Sequence, residues 1–141
     1  MFKVREKMKK VVFLFFFGAM ATVSFMYAQY PDSELASITL YKVTDPMATT
    51  ASLIGVGING FTLAVGEEMI VIAKGVDAND KEVPIWPTWT GDKELSLTVV
   101  GGRSRAVVVK ALKTGAPLFF TALYFTDGGK KVKGEAMGKV K

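Results

Sequence analysis

Four oxygen-bearing side chains crowd one short stretch, Asp77, Asn79, Asp80 and Glu82, and calcium takes ligands of that kind. The spacing lacks the turn glycine and the distal bidentate acid of the helix-loop-helix calcium motif. A solvated turn between strands uses the same residues, because Asn and Asp cap local backbone donors and tolerate left-handed conformations. A turn is therefore the expected role. Asp92 and Glu94 raise a second chemistry, the carboxylate pair of glycoside hydrolysis, but nothing else around them marks a cleft. Ser33, Ser37 and Ser104 offer hydroxyls, and the chain contains no histidine to activate them. Its lack of both histidine and cysteine removes an imidazole base, a thiolate nucleophile and any zinc site built on those ligands. No catalytic residue, metal set or cofactor motif is assigned, and the expectation is a protein that binds and does not catalyse.

Binding shifts attention to the aromatic residues. Trp86 and Trp89 are an odd number of positions apart, so in a regular strand their rings point to opposite faces. Trp89 is expected in the core, which leaves Trp86, beside Pro87, facing solvent as a platform for a sugar or a protein, or as cover for a sheet edge. Tyr41 is a second candidate for sugar stacking. In Leu118–Thr126 (LFFTALYFT), Phe119, Leu123 and Phe125 share one face and Phe120, Ala122 and Tyr124 the other. Only one face can line a core between sheets. The other is either a partner surface or is covered by residues 29–60, and the second alternative is the expected one.

These residues need strands to position them. No helical period of useful length follows residue 30; short β-rich runs recur between turn signals, as in a sandwich or barrel. Leu35–Val43 is the first run, with Ile38 and Leu40 on one face, and Asp45-Pro46 ends it. Met47–Gly60 carries no charge and three glycines; it reads as a loop with a weak, edge-pairing strand around Ser52–Ile58. Phe61, Leu63 and Val65 alternate inward. Glu68–Val76 follows, then the Asp77–Lys81 turn and Val83–Thr90, which Pro84 and Pro87 make short or peripheral. Leu95–Val100, Ala106–Leu112, a turn at Gly115-Ala116-Pro117, and Leu118–Thr126 come next. Asp127-Gly128-Gly129 is a hairpin signal leading into Lys131–Val140, whose small apolar face (Val132, Gly134, Ala136, Gly138, Val140) opposes a charged one. Seven or eight strands in about 113 residues predict an all-β, two-sheet Greek-key sandwich, with a partly open barrel as the alternative.

The first 28 residues read as an address. Lys3, Arg5, Lys7, Lys9 and Lys10 precede an apolar run that includes Phe13 and Phe15-Phe16-Phe17, and small residues follow. That is the pattern of a secretory signal peptide. Cleavage is expected after Ala28, with Ala21 as the other small-x-small exit. An uncleaved anchor is the alternative, since Val11–Ala28 holds 18 residues without a charge, at the lower limit for a span. The expected destination is the periplasm, the cell surface or the medium, and contact with a membrane is expected only if the leader is retained. The chain has 18 basic and 13 acidic residues, of which the leader holds five and one, leaving 13 against 12. The basic pI of 9.4 is thus largely the leader's, and nucleic acid is not an expected partner. Residues 29–141 suffice for one domain, and without cysteine no disulfide staples it.

The order of features from Phe61 to Lys141 resembles that of bacterial immunoglobulin-like domains. The matching pieces are Leu63-Ala64-Val65-Gly66-Glu67, Ala73-Lys74-Gly75-Val76-Asp77, Trp89, Gly115, Ala122 and Val140. Residues 29–60 add at most the first strand, and the long uncharged Met47–Gly60 departs from the pattern. The resemblance implies an immunoglobulin-like sandwich of seven or eight strands on an exported protein, and it carries no catalytic residues across. The expected function is a non-catalytic binding or structural module of the bacterial cell envelope, whose partner is a protein or a cell-surface polysaccharide. Carbohydrate binding through exposed aromatic residues is the alternative.

Overall fold

A computed structural model describes residues 34–101 and 103–141. The leader, its cleavage points and Ser33 lie outside the described residues. Among the described residues nine strands follow in order: β1 (Ser37–Val43), β2 (Gly60–Leu63), β3 (Glu68–Val76), β4 (Glu82–Val83), β5 (Thr88–Gly91), β6 (Leu95–Val100), β7 (Ala106–Ala111), β8 (Gly115–Phe125) and β9 (Lys131–Val140). They form two sheets. One has the order β2-β9-β8-β5, the other β1-β3-β7-β6 with β4 also on β3. Neighbours are antiparallel except β2, which runs parallel to β9. This is the Greek-key order of an immunoglobulin-type sandwich, β1-β3-β7-β6 facing β5-β8-β9, with β2 added beside β9 and β4 beside β3.

Alternation explains which face each strand buries. Val71 and Ala73 of β3, Val107 and Val109 of β7, Phe120 and Ala122 of β8, and Ala136 of β9 form the core between the sheets. Phe120 sits at its centre, fully buried, with its ring 5.3 Å from Phe61 and 6.5 Å from Trp89. The small face of β9 points inward because other elements lie directly on it. A Cβ on Gly138 would come within 2.5 Å of the Phe61 ring, and one on Gly134 within 2.6 Å of the Ile38 carbonyl. The lysines of β9 occupy its solvent face.

Several local expectations change. The run Val83–Thr90 divides into β4 and β5, because Pro84 and Pro87 withhold the N–H groups a continuous ladder needs. Gly115-Ala116-Pro117 opens β8 instead of turning the chain; the Ala116-Pro117 bond is cis. The N–H of Phe119 points toward the β5 side, where it meets Asp92. By the two-residue period Pro117 faces the same side, beyond the end of β5, where no partner strand asks for a donor. Val65 lies past the end of β2 and is exposed rather than inward.

The uncharged segment also takes a different position. After β1 it forms a single 3-10 turn, Thr50–Ser52, and returns to touch β1 through one antiparallel bridge, Ile58 to Leu40. Between these points it covers the outer face of the five-stranded sheet, where Leu53 packs with Ile72 and Ala106 and with the flanks of Tyr41 and Val43. The Lys74 Nζ donates to the Leu53 carbonyl at 2.8 Å, and the Thr50 hydroxyl to Glu82 at 2.6 Å. The segment thus covers Ile72 and not Phe119, Leu123 and Phe125, which belong to the opposite sheet.

The contact at Gly138 can be measured. Gly138→Ala should destabilise the fold by about 1–3 kcal/mol in urea unfolding, since the added methyl meets an aromatic ring and a carbonyl that cannot withdraw. Gly60→Ala, where the new Cβ meets only the Met137 carbonyl at 3.5 Å, should leave stability within about 0.5 kcal/mol.

Candidate functional site

The acidic cluster closes a turn. Asp77 Oδ1 accepts hydrogen bonds from the backbone N–H groups of Asn79 and Lys81 at 2.8 and 2.9 Å, and the Asp77 N–H donates to the Lys81 carbonyl. Asp80 takes a left-handed φ of 62° within it. Glu82 faces elsewhere and accepts from Thr50. The four residues do not converge, and no metal-binding group of three or more acids is found among the described residues. Asp92 is likewise engaged: its carboxylate accepts the Phe119 N–H at 2.8 Å, and its own N–H donates to the Phe119 carbonyl at 3.1 Å. This extends the β5–β8 pairing by one step. The neighbouring Glu94 contributes its backbone carbonyl to Leu112.

The two tryptophans differ in exposure, although Trp86 lies in the connection before β5 and not in one strand with Trp89. Trp89 lies against the core, and its indole N–H donates to the Ser104 carbonyl at 2.6 Å. That bond joins a strand of one sheet to the β6–β7 turn of the other. The Ser104 hydroxyl donates in turn to the Pro87 carbonyl at 2.8 Å. Trp86 is half exposed, and the Arg103 guanidinium lies over its ring at 5.4 Å, within reach of a cation–π attraction. Arg103 and Ser104 both adopt left-handed backbone, with φ of 62° and 50°. Two consecutive side-chain-bearing residues in that region cost roughly 1–3 kcal/mol each. The two hydrogen bonds around Ser104 hold them there. Tyr41 flanks the Leu53 cluster, and its hydroxyl donates to the Gly55 carbonyl at 2.9 Å; this role fixes the covering segment.

The outer face of the four-stranded sheet carries Phe119, Leu123 and Phe125 in a row. Cross-strand pairing sets Met137 beside Phe119, Lys133 beside Leu123 and Lys131 beside Phe125. Phe119, Phe125 and Met137 are 36, 58 and 53% exposed, and Leu123 is partly buried. Sequence reasoning assigned this face a cover, and it missed Met137 and Arg103. The outward period of β9 carries Met137 among its lysines, a legible signal. Nothing in the sequence marks Arg103 as left-handed. No protein-family model matches the chain, and comparison with curated proteins finds no relative.

The two tryptophans should answer differently to solution probes. In Trp86→Phe, the remaining Trp89 emission should be blue-shifted and poorly quenched by acrylamide; in Trp89→Phe, the remaining Trp86 should be readily quenched. Trp89→Phe should also lose about 1–3 kcal/mol in denaturant unfolding, because the Ser104 carbonyl loses its donor.

Proposed function

We propose that this chain is an exported, non-catalytic binding domain of the bacterial cell envelope, of the immunoglobulin-like kind, and that it docks a protein partner. The observation that supports this most is the open apolar row Phe119–Leu123–Phe125 with Met137 beside it, on a sheet whose inner face is already packed. Apolar side chains of this size left in water on adjacent strands carry a cost that a partner removes. Lys131 and Lys133 stand at one end of the row, so the partner surface is apolar with acidic residues at that margin. An apolar centre with a polar margin is the usual anatomy of a protein interface. Export is supported by the basic-then-apolar pattern of the first 28 residues. Sugar binding is a second reading, favoured by one observation, the half-exposed Trp86 ring.

In-cell photo-crosslinking tests the first reading. A photoreactive residue at Thr121, in the middle of the row, should give a defined adduct in the envelope fraction, and one at Thr98 on the other sheet should not. Phe119→Ser with Phe125→Ser should abolish the adduct or weaken it at least about tenfold, the loss of one modest hot spot. Stability should stay within about 0.5 kcal/mol, as for exposed substitutions. Equal crosslinking from both faces, or an adduct that survives the double substitution, defeats the reading.

A further inference from the structure

Strand β3 changes partners along its length on one side. Up to Ala73, whose N–H donates to the Arg105 carbonyl, it follows β7; from Gly75 it pairs with β4. Where the two partners part, the sheet splits, and the covering segment bridges over the gap. The result is a cleft of about 440 Å³, within the range of small-molecule sites, roughly 300–1,000 Å³. Its floor is β3 at Ala73 and Gly75, and Thr50, Glu82, Arg103 and Arg105 line its walls.

We infer that this cleft binds a carboxylate-bearing sugar, a uronic acid unit of an acidic polysaccharide, with Arg103 and Arg105 holding the carboxylate. The charges facing the cleft are two guanidiniums and one carboxylate, Glu82, whose Oε1 already accepts from Thr50. Arg105 spends one N–H on the Ala48 carbonyl at a long 3.4 Å, and Arg103 lies on an aromatic face. Neither contact is a carboxylate, so most of their planar, forked donors are available to an anion that is itself planar and forked. Sugar hydroxyls need acceptors as well as donors; the guanidiniums donate, and the Glu82 carboxylate and the Thr50 oxygen accept. Trp86 carries the Arg103 guanidinium over its ring and is half exposed beside it. The left-handed pair Arg103–Ser104 is held by the bonds of Ser104 to Trp89 and Pro87, which fixes where Arg103 starts. Strained backbone on ordinary residues persists where the surroundings enforce it, and here it aims a cation at the cleft.

The inference rests on the second reading above, Trp86 as a ligand-facing residue, and adds its charge and its location. The two are separable by experiment. Calorimetric titration of the protein with oligogalacturonide, against dextran and polyglutamate, should show binding to the uronide alone, weakening as salt rises. Arg105→Met should weaken it at least tenfold. Arg103→Gly should do the same with the melting temperature unchanged or raised, because glycine accepts the positive φ that arginine is forced into. Lys131→Met with Lys133→Met, on the far sheet, should leave it unchanged. Polyglutamate binding as tightly as uronide, or uronide binding that survives both arginine substitutions, overturns the inference. Dextran binding that is lost in Trp86→Ala but kept in both arginine variants leaves the sugar reading standing and overturns this one. Absence of binding to either saccharide defeats both.

Discussion

The hydrogen bond from the Trp89 indole to the Ser104 carbonyl is the constraint on which the arrangement turns. An indole N–H at the edge of an apolar core needs an acceptor, since leaving it unpaired costs about 1–3 kcal/mol. Trp89 stands over Phe120 on the inner face of one sheet; its acceptor belongs to the turn that ends β6 and begins β7 in the other. Meeting that requirement fixes the separation of the sheets at one end. It also holds the left-handed conformation of the turn. The Ser104 hydroxyl closes the loop by returning a bond to the Pro87 carbonyl, two residues before Trp89. Core packing and turn geometry are therefore a single device.

The two outer faces of the sandwich are treated unequally, and the reason lies in their sequences. β3 reads Met69-Ile70-Val71-Ile72-Ala73, apolar on both faces, and a strand of that kind is stable only when covered on both. Residues 44–58 supply the cover, and Ile72 is fully buried beneath Leu53. β9 alternates, with Lys131, Lys133, Glu135 and Lys139 outward and Met137 among them. β8, paired beside it, brings the aromatic row into that otherwise charged field. The uncharged segment is anchored by Leu53 over Ile72 and by Ile58 on β1, and the side chains of Tyr41, Lys74, Glu82 and Arg105 bond to it.

Where period and turn chemistry act locally, the sequence was a sufficient guide. Glu68–Val76 ends at the Asp77 turn, Leu95–Val100 alternates and ends at Gly101, and Lys131–Val140 alternates after the Asp127-Gly128-Gly129 turn; the structure keeps those bounds. Trp89 does lie against the core and Trp86 outside it, but Trp86 stands in the connection before β5, so the two-residue period of a strand is not what separates them. What escaped was set by distant contact. Arg103 and Ser104 are not residue types that mark a left-handed turn, and Ser104 is bonded to Trp89 and Pro87, 15 and 17 positions away in the chain. The cover's destination was misjudged because the aromatic row of β8 drew more weight than the doubly apolar run of β3, whose requirement was the greater. Pro117 was read as a turn because its tolerance in β8 depends on where β5 stops.

The same long-range enforcement gives the cleft its character. A left-handed arginine is unfavourable by roughly 1–3 kcal/mol, and glycine at the same place would not be. The cost is offset by the two bonds around Ser104, whose acceptors and donors are set by the core rather than by any ligand. Rigidity at the cleft is therefore inherited from the packing of Trp89 on Phe120, so Arg103 is oriented before anything binds. Preorganised donors lose little entropy on meeting an anion, and a fold without cysteine achieves this with one indole and one serine. The aromatic row on the opposite sheet has no such enforcement. Its side chains stand on regular strands and owe their position to the pleat alone, which suits a broad contact surface and not a fitted pocket.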